Sequence, residues 1–182
     1  MLAREYCNKN KDYKSPVIVG HHMLSGMTPP VAAEEGENDD DLQIKNKMSK
    51  SNPLSAIFME DSEAEVKKKV DKAYCPAGLE FENGNRNPIL DYCENIILPS
   101  FGEIKITRSA EFGGDITYKT YAHLKEDFCS EALHPGDLKP AVTNAINKLL
   151  EPVRSHFEKD PYAKRLLETI KKWQDELKGQ HK

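Results

Sequence analysis

From Leu138 to Phe157 the chain places apolar residues at Leu138, Val142, Ala145, Ile146, Leu149, Leu150, Val153 and Phe157. Only an α-helix gathers that spacing onto one face, so the C-terminal third must be built on helix packing. Asp137 is a candidate N-cap, Pro140 falls in the first turn, and Pro152 removes an internal N–H and predicts a kink. A second stripe, Ala163, Leu166, Leu167, Ile170, Trp173 and Leu177, follows the helix-start pair Asp160-Pro161 and is expected to pack into the core. Upstream, Tyr121, Leu124 and Phe128 predict a shorter helix.

The middle of the chain mixes signals. Ser62 with Glu65 forms a capping box, opening a helix whose Val66, Val70, Ala73 and Tyr74 share a stripe. Pro76 and Gly78 end it, residues 80–87 are turn-rich, and Ile89, Leu90, Cys93, Ile96 and Ile97 predict another helix. Ile104 and Ile106 alternate with polar neighbours, and Gly113-Gly114 separates them from a short strand at 115–118, which predicts a small hairpin. At the other end, Leu2, Ala3, Tyr6 and Cys7 form one face of an uncapped helix over residues 2–12. Pro16-Val17-Ile18-Val19 reads as a buried strand of a parallel sheet. The acidic stretch 28–45 has almost no periodic apolar residues and reads as an inserted flexible or disordered loop.

With 38% hydrophobic and 31% charged residues among 182, the composition is that of a soluble globular chain of one or two small domains, and no apolar run is long enough to cross a bilayer. The first residues carry no signal-peptide pattern, which argues against secretion. Cys7, Cys75, Cys93 and Cys129 are far apart without a C-x-x-C pair, which fits reduced cytoplasmic thiols and no zinc site. Adjacent His21 and His22 lack a completing ligand set, so no metal is expected. A net charge of −4 conceals basic runs such as Lys67-Lys68-Lys69, so RNA remains an admissible partner whose binding would weaken with salt.

One pentapeptide carries chemistry. Lys47-Met48-Ser49-Lys50-Ser51 sets two ammonium groups three residues apart among hydroxyls, a set suited to phosphate charge that shifts during nucleotidyl transfer. As a bare pattern it equally describes a solvated loop. The apolar patch Ala56-Ile57-Phe58-Met59 can anchor one end of it, as a lid requires.

The pentapeptide resembles the mobile ATP-phosphate loop of class I aminoacyl-tRNA synthetases. With it, in the family's order, occur Leu2-Ala3-Arg4-Glu5-Tyr6, His22-Met23-Leu24-Ser25-Gly26, Lys72-Ala73-Tyr74-Cys75, Phe112-Gly113-Gly114-Asp115, His134-Pro135-Gly136-Asp137-Leu138-Lys139 and Asn147-Lys148-Leu149-Leu150-Glu151-Pro152-Val153-Arg154. Together these resemble tyrosyl-tRNA synthetases of the eukaryotic and archaeal type over nearly the whole chain. The resemblance implies an α/β remnant of a Rossmann-type catalytic domain over 1–61, with the insertion at 28–45 and the lid at 47–51. A mostly α-helical anticodon-binding domain with a small β-hairpin would follow over 62–182.

It further implies ATP contacts at Met23, Leu24, Gly26, Lys47, Met48, Ser49, Lys50 and Ser51, with Lys47 and Lys50 stabilising departing pyrophosphate. Phe112, His134, Pro135 and Asp137 would receive the first anticodon base, a guanine: an aromatic face stacks on it and a carboxylate accepts from its ring N–H and amino group. Bland roles compete for the same residues, a cap for Asp137, a hairpin core for Phe112 and a loop histidine for His134. The implied substrates and partners are ATP carrying Mg2+, tRNA(Tyr), L-tyrosine held by a catalytic half not found in this sequence, and that half or a tandem copy; a homodimer is a further expectation. On this reading the chain is a fragment, split product or tandem half, inactive alone. The alternatives are a non-catalytic tRNA-binding module and a structural protein that uses the acidic tract.

Overall fold

The computed structural model describes residues 2–31, 36, 38–49, 51–82 and 85–180, without the side chains of 39, 40, 43, 82 and 178–180. Lys50 and most of the acidic run at 34–37 therefore lie outside the described residues.

The organising element is the long helix α7 (Pro135–Lys159), with α3 (Glu63–Lys72), α8 (Pro161–Gln180) and strand β3 (Ile104–Ile106) packed against it. Helix α6 (Tyr121–Cys129) packs on β4 (Ile116–Tyr118), which pairs antiparallel with β3 in the register Ile104–Tyr118 and Ile106–Ile116. Alternation puts Ile104 and Ile106 inward and Lys105 outward, the period-two pattern of a half-buried strand. The core is continuous: Val66 and Val70 of α3, Ile89 and Leu90, Ile97, Ile106, Tyr118, Phe128, Leu138 and Val142 enclose one another, and Met27 joins them from the N-terminal third.

Several local readings hold. Ser62 caps α3 through the Glu65 N–H, and the Glu65 carboxylate returns to the Ser62 N–H at 2.8 Å, which holds that carboxyl below its usual range. The predicted hairpin and the helices at 121–129, 135–159 and 161–180 are present, and the N-terminal helix, α1 (Leu2–Lys9), ends three residues before the expected limit. Asp160 caps α8 by accepting from the Tyr162 and Ala163 N–H groups at 2.8 and 3.1 Å.

Others are corrected. Residues 14–20 form no strand, and Val17 and Val19 are 91% and 80% exposed. A strand exists only by pairing, and among the described residues no parallel neighbour reaches it. The insertion contains a helix, α2 (Asp39–Lys45), where a loop was expected; Asn38 caps it and buried Leu42 anchors it. Asp41 stands in its first turn, where the helix dipole favours a carboxylate. The stripe on α8 is not core: Ala163 is buried, but Leu166, Ile170, Trp173 and Leu177 are 43–59% exposed. Periodicity reports a one-sided helix, not what covers it. Finally, α7 begins at Pro135, one turn earlier than expected, so Pro140 lies in the second turn and His134 is the cap. The two internal prolines of α7, Pro140 and Pro152, are accommodated within one continuous helix.

Two small elements were not expected. Strands β1 (Phe81–Glu82) and β2 (Asn85–Arg86) pair antiparallel within the turn-rich stretch. Between α4 (Pro88–Tyr92) and α5 (Leu98–Phe101) the chain widens into a π turn, Cys93–Ile97, closed by the Leu98 N–H bonding to the Cys93 carbonyl.

Candidate functional site

The lid and the segment 22–27 are laid side by side by backbone pairing. Ser25 and Lys47 form an antiparallel bridge, the Gly26 N–H donates to the Asn46 carbonyl at 2.9 Å, and the Met27 N–H donates to the Ser55 carbonyl at 2.9 Å. Gly26 is required here, since a Cβ would meet the Asn46 oxygen at 2.7 Å. Met23, Leu24 and Gly26, with His22, Asn46, Phe81 and Arg86, line a cavity of about 210 Å³. Three of the expected nucleotide contacts thus share one cavity, directly beside the lid.

One buried hydroxyl ties Ser49, in the segment expected to be a lid, to the turn that follows it. Ser55 Oγ accepts from the Ser49 N–H at 2.9 Å and lies 3.0 and 2.7 Å from the Ser49 and Asn52 carbonyl oxygens. Ser49 and Ser51 hydroxyls bond each other at 2.8 Å, and the Tyr92 hydroxyl donates to Met48 Sδ at 3.6 Å. Burial pushes the Tyr92 phenol up to about 12, so it remains a donor across the physiological range. Lys47 is exposed, and its ammonium has no ion-pair partner among the described residues. Beyond the lid, Asp61 is buried against Lys69 at 2.5 Å and also accepts from the Phe58 N–H at 2.8 Å.

Beneath the cavity lies a carboxylate that the sequence reading missed. Asp91 is fully buried and accepts from the Ser25 N–H at 2.8 Å, Asn95 Nδ2 at 3.0 Å and an Arg86 guanidinium nitrogen at 3.2 Å, with His22 Nε2 at 2.8 Å. Arg86 also bonds Glu94 and reaches Glu80 at 3.3 Å, while Glu80 receives the Tyr121 hydroxyl at 2.7 Å and Lys125 at 2.5 Å. The available signal was an acidic residue inside an apolar helical run with an arginine five residues before it. Burial pushes the Glu80 carboxyl up, but the hydrogen bonds from Lys125, Tyr121 and Arg86 outweigh it and hold the group below its ordinary value. A depressed folded-state value means that its contribution to stability is present above the unfolded value and lost as pH falls through the folded one. Thermal melts from pH 6 to about pH 3 should therefore show Glu80→Gln with a flatter acid limb than the parent below about pH 4.5, the ordinary glutamate range. Parallel acid limbs would refute this.

Away from the residues that line the cavity, the loops 108–115 and 130–137 meet. Phe112 closes a 3-10 turn, Ala110–Phe112, and is 67% exposed rather than part of the hairpin core. His134 Nδ1 accepts from the Gly136 N–H at 3.0 Å and so takes the cap expected of Asp137. Pro135 is buried as the first residue of α7. Asp137 sits in the first turn, partly exposed, and its carboxylate has no hydrogen-bond partner among the described residues. Arg108 joins the loops, donating from Nε to the Gly114 carbonyl at 2.8 Å and from an Nη to the Ala132 carbonyl at 2.9 Å. Lid and anticodon candidates thus form two separate groups, and the position of Lys50 in the first lies outside the described residues.

Residues 1–151 match the family model described as tRNA synthetases class I (W and Y). The chain is 48% identical over 171 residues to tyrosine–tRNA ligase 1, cytoplasmic, of Arabidopsis thaliana, covering 94% of this chain and 40% of that protein. The chain belongs to the tyrosyl-tRNA synthetase family. A tyrosine–tRNA ligase of Thermococcus sibiricus is 42% identical, over 93% of this chain and 47% of its own length. Among solved structures, the tyrosyl-tRNA synthetase of Pyrococcus horikoshii complexed with L-tyrosine superimposes with a TM-score of 0.70 at 41% identity, covering 82% of this chain and 40% of that one. That of Leishmania major with tyrosinol gives 0.73 at 35% identity, over 96% and 31%. The chain therefore spans about two-fifths of the length of the first curated synthetase it matches. Within the family the class I fold is shared, while the described part of this chain is mostly helical with two small antiparallel sheets. No helix among the described residues is long and apolar enough to cross a membrane.

Proposed function

We propose that this chain is the part of a cytoplasmic tyrosine–tRNA ligase that carries the phosphate lid and the anticodon reader. Residues 1–61 serve the nucleotide and residues 62–182 serve tRNA(Tyr). In the assembled enzyme the tyrosine carboxylate attacks the α-phosphorus of ATP and pyrophosphate leaves, after which the 3′ end of the tRNA takes the tyrosyl group. Tyrosine itself would be held by the remaining catalytic part, supplied by a longer chain, a separate half or a tandem copy.

The role assigned to this chain's own residues is electrostatic. Lys47, exposed and unpaired among the described residues, and Lys50 steady the charge that accumulates on the leaving pyrophosphate, and the Ser49 and Ser51 hydroxyls add donors. Met23, Leu24 and Gly26 present backbone to the adenine side of the cavity. Magnesium enters as part of the nucleotide substrate, where it offsets phosphate charge.

The observation that carries the tRNA half is the division of labour at the start of α7: His134 caps the helix, which leaves the Asp137 carboxylate available to guanine. Guanine offers a ring N–H and an amino group side by side, a pair that adenine lacks, while Phe112 supplies the stacking face and Pro135 the wall. The test is binding of the isolated tRNA(Tyr) anticodon hairpin, carrying either its wobble guanine or adenine in its place, to the full chain. Two charge-assisted hydrogen bonds predict a preference for guanine of about 10–100-fold. Equal affinities would overturn the reading.

A further inference from the structure

We propose that Arg108 is a positioning residue for anticodon recognition, fixing the distance between the stacking face and the base-reading carboxylate. The inference rests on the guanine-reading role argued above and assigns the device that makes it selective.

Phe112 and Asp137 belong to different elements, one in the turn between β3 and β4 and the other on α7. Neither turn is rigid by burial. Phe112, Gly113 and Asp115 are exposed, and so are Glu131, Ala132 and His134. A base stacked on the ring reaches the carboxylate only if the two loops keep a fixed separation, because a hydrogen bond tolerates only a few tenths of an ångström.

Arg108 supplies that separation. Its backbone N–H donates to Asp115 Oδ1 at 3.2 Å and its Nε to the Gly114 carbonyl at 2.8 Å, so it is locked to both residues that follow the Phe112-Gly113 corner. From the same plane an Nη donates at 2.9 Å to the carbonyl of Ala132, two residues before His134. The corner fits the guanidinium closely: Gly113 has φ +93, and a Cβ there would meet an Arg108 Nη at 3.2 Å. On the other side, Leu133 is fully buried and its N–H donates to the Asp127 carbonyl at 2.9 Å, so the acceptor loop is itself anchored. A rigid planar cation with donors on different edges can hold two carbonyls at a set distance, which a single ammonium on a flexible stem cannot.

The experiment uses the full chain and the two anticodon hairpins, guanine and adenine at the wobble position, at a temperature well below the melting point of each variant. Arg108→Ala should reduce the guanine preference by about tenfold, the worth of one well-aligned charged hydrogen bond. Arg108→Lys should fail to restore it. Arg108→Gln, whose shorter side chain ends in an amide near the Nε position and cannot reach the Ala132 carbonyl, should show the same loss and serves if the alanine variant does not fold. In an Asp137→Asn background, which has already lost the preference, Arg108→Ala should reduce it no further. A residue that merely braced the hairpin would lower the melting temperature and leave the ratio of the two affinities untouched. Should the parent chain prefer guanine and Arg108→Ala and Arg108→Gln keep that preference, the positioning role fails alone. Should the parent show no preference, the guanine-reading proposal fails and takes this inference with it.

Discussion

Replacing Asp61 with alanine should destabilise the chain by about 3–5 kcal/mol, because it strands a buried lysine. Lys69 and Asp61 have side chains only 8% and 7% exposed and meet at 2.5 Å. Without the carboxylate, the Lys69 ammonium keeps the Phe58 ring, 4.3 Å away, and the exposed charge of Glu65 one turn earlier on α3, which together recover little of the lost pairing. The Phe58 N–H loses its acceptor as well. Removing both charges is a different experiment: Asp61→Leu with Lys69→Met should regain most of the loss, since a well-packed apolar pair often equals a buried ion pair. Urea unfolding of the two single variants and the double variant decides. A double variant as unstable as Asp61→Ala would show that the carboxylate acts through Phe58 and the backbone rather than through the lysine. Asp61 follows the segment proposed above as the phosphate lid, and its carbonyl receives Arg154 Nε of α7 at 2.9 Å.

The second large effect is expected at Asp91. Alanine there removes the buried acceptor for the Ser25 N–H and for Asn95, at about 1–3 kcal/mol for each orphaned donor. Charge is not the main loss, because Arg86 retains Glu80 and Glu94. Asparagine should rescue poorly: it keeps one acceptor oxygen but turns an NH2 toward donors, and Asp91 receives Ser25 on one oxygen and Arg86 and Asn95 on the other. Beyond a fall in stability of about 3 kcal/mol, amide exchange should show Ser25 and Gly26 losing protection more than α7 does. Uniform loss of protection would mean that Asp91 supports the fold without specially holding the cavity wall.

What the sequence disclosed follows from how local each signal is. The capping box at Ser62 and Glu65, the alternation at Ile104 and Ile106 and the stripe on α7 are set by residues within a few positions of one another, and each was legible. The strand at 16–19 was misread because four apolar residues fit a buried strand or an exposed extended run equally, and only neighbours decide. On α8 the same logic failed on the covering side. The cap of α7 could have been read better, since proline favours the first helical position and Pro135 therefore points to His134. For the site, residue types and spacing drew attention to the lid and to the two anticodon segments, but Asp91 and Arg108 act on partners 66 and 24 residues away in sequence, Ser25 and Ala132, and no window contains both ends.

The π turn at Cys93–Ile97 makes the length of this helical passage a structural parameter in its own right. It holds one residue more than an α-helical turn would, and each residue of an α-helix rotates the next side chain by about 100°. A one-residue deletion here would give a smoother helix, yet it would swing Leu98 and Phe101 away from the core against which they pack. The irregularity sets the phase between the helix end that grips the cavity floor and the one that meets the hairpin, so shortening would be tolerated less well than almost any single exchange of side chains.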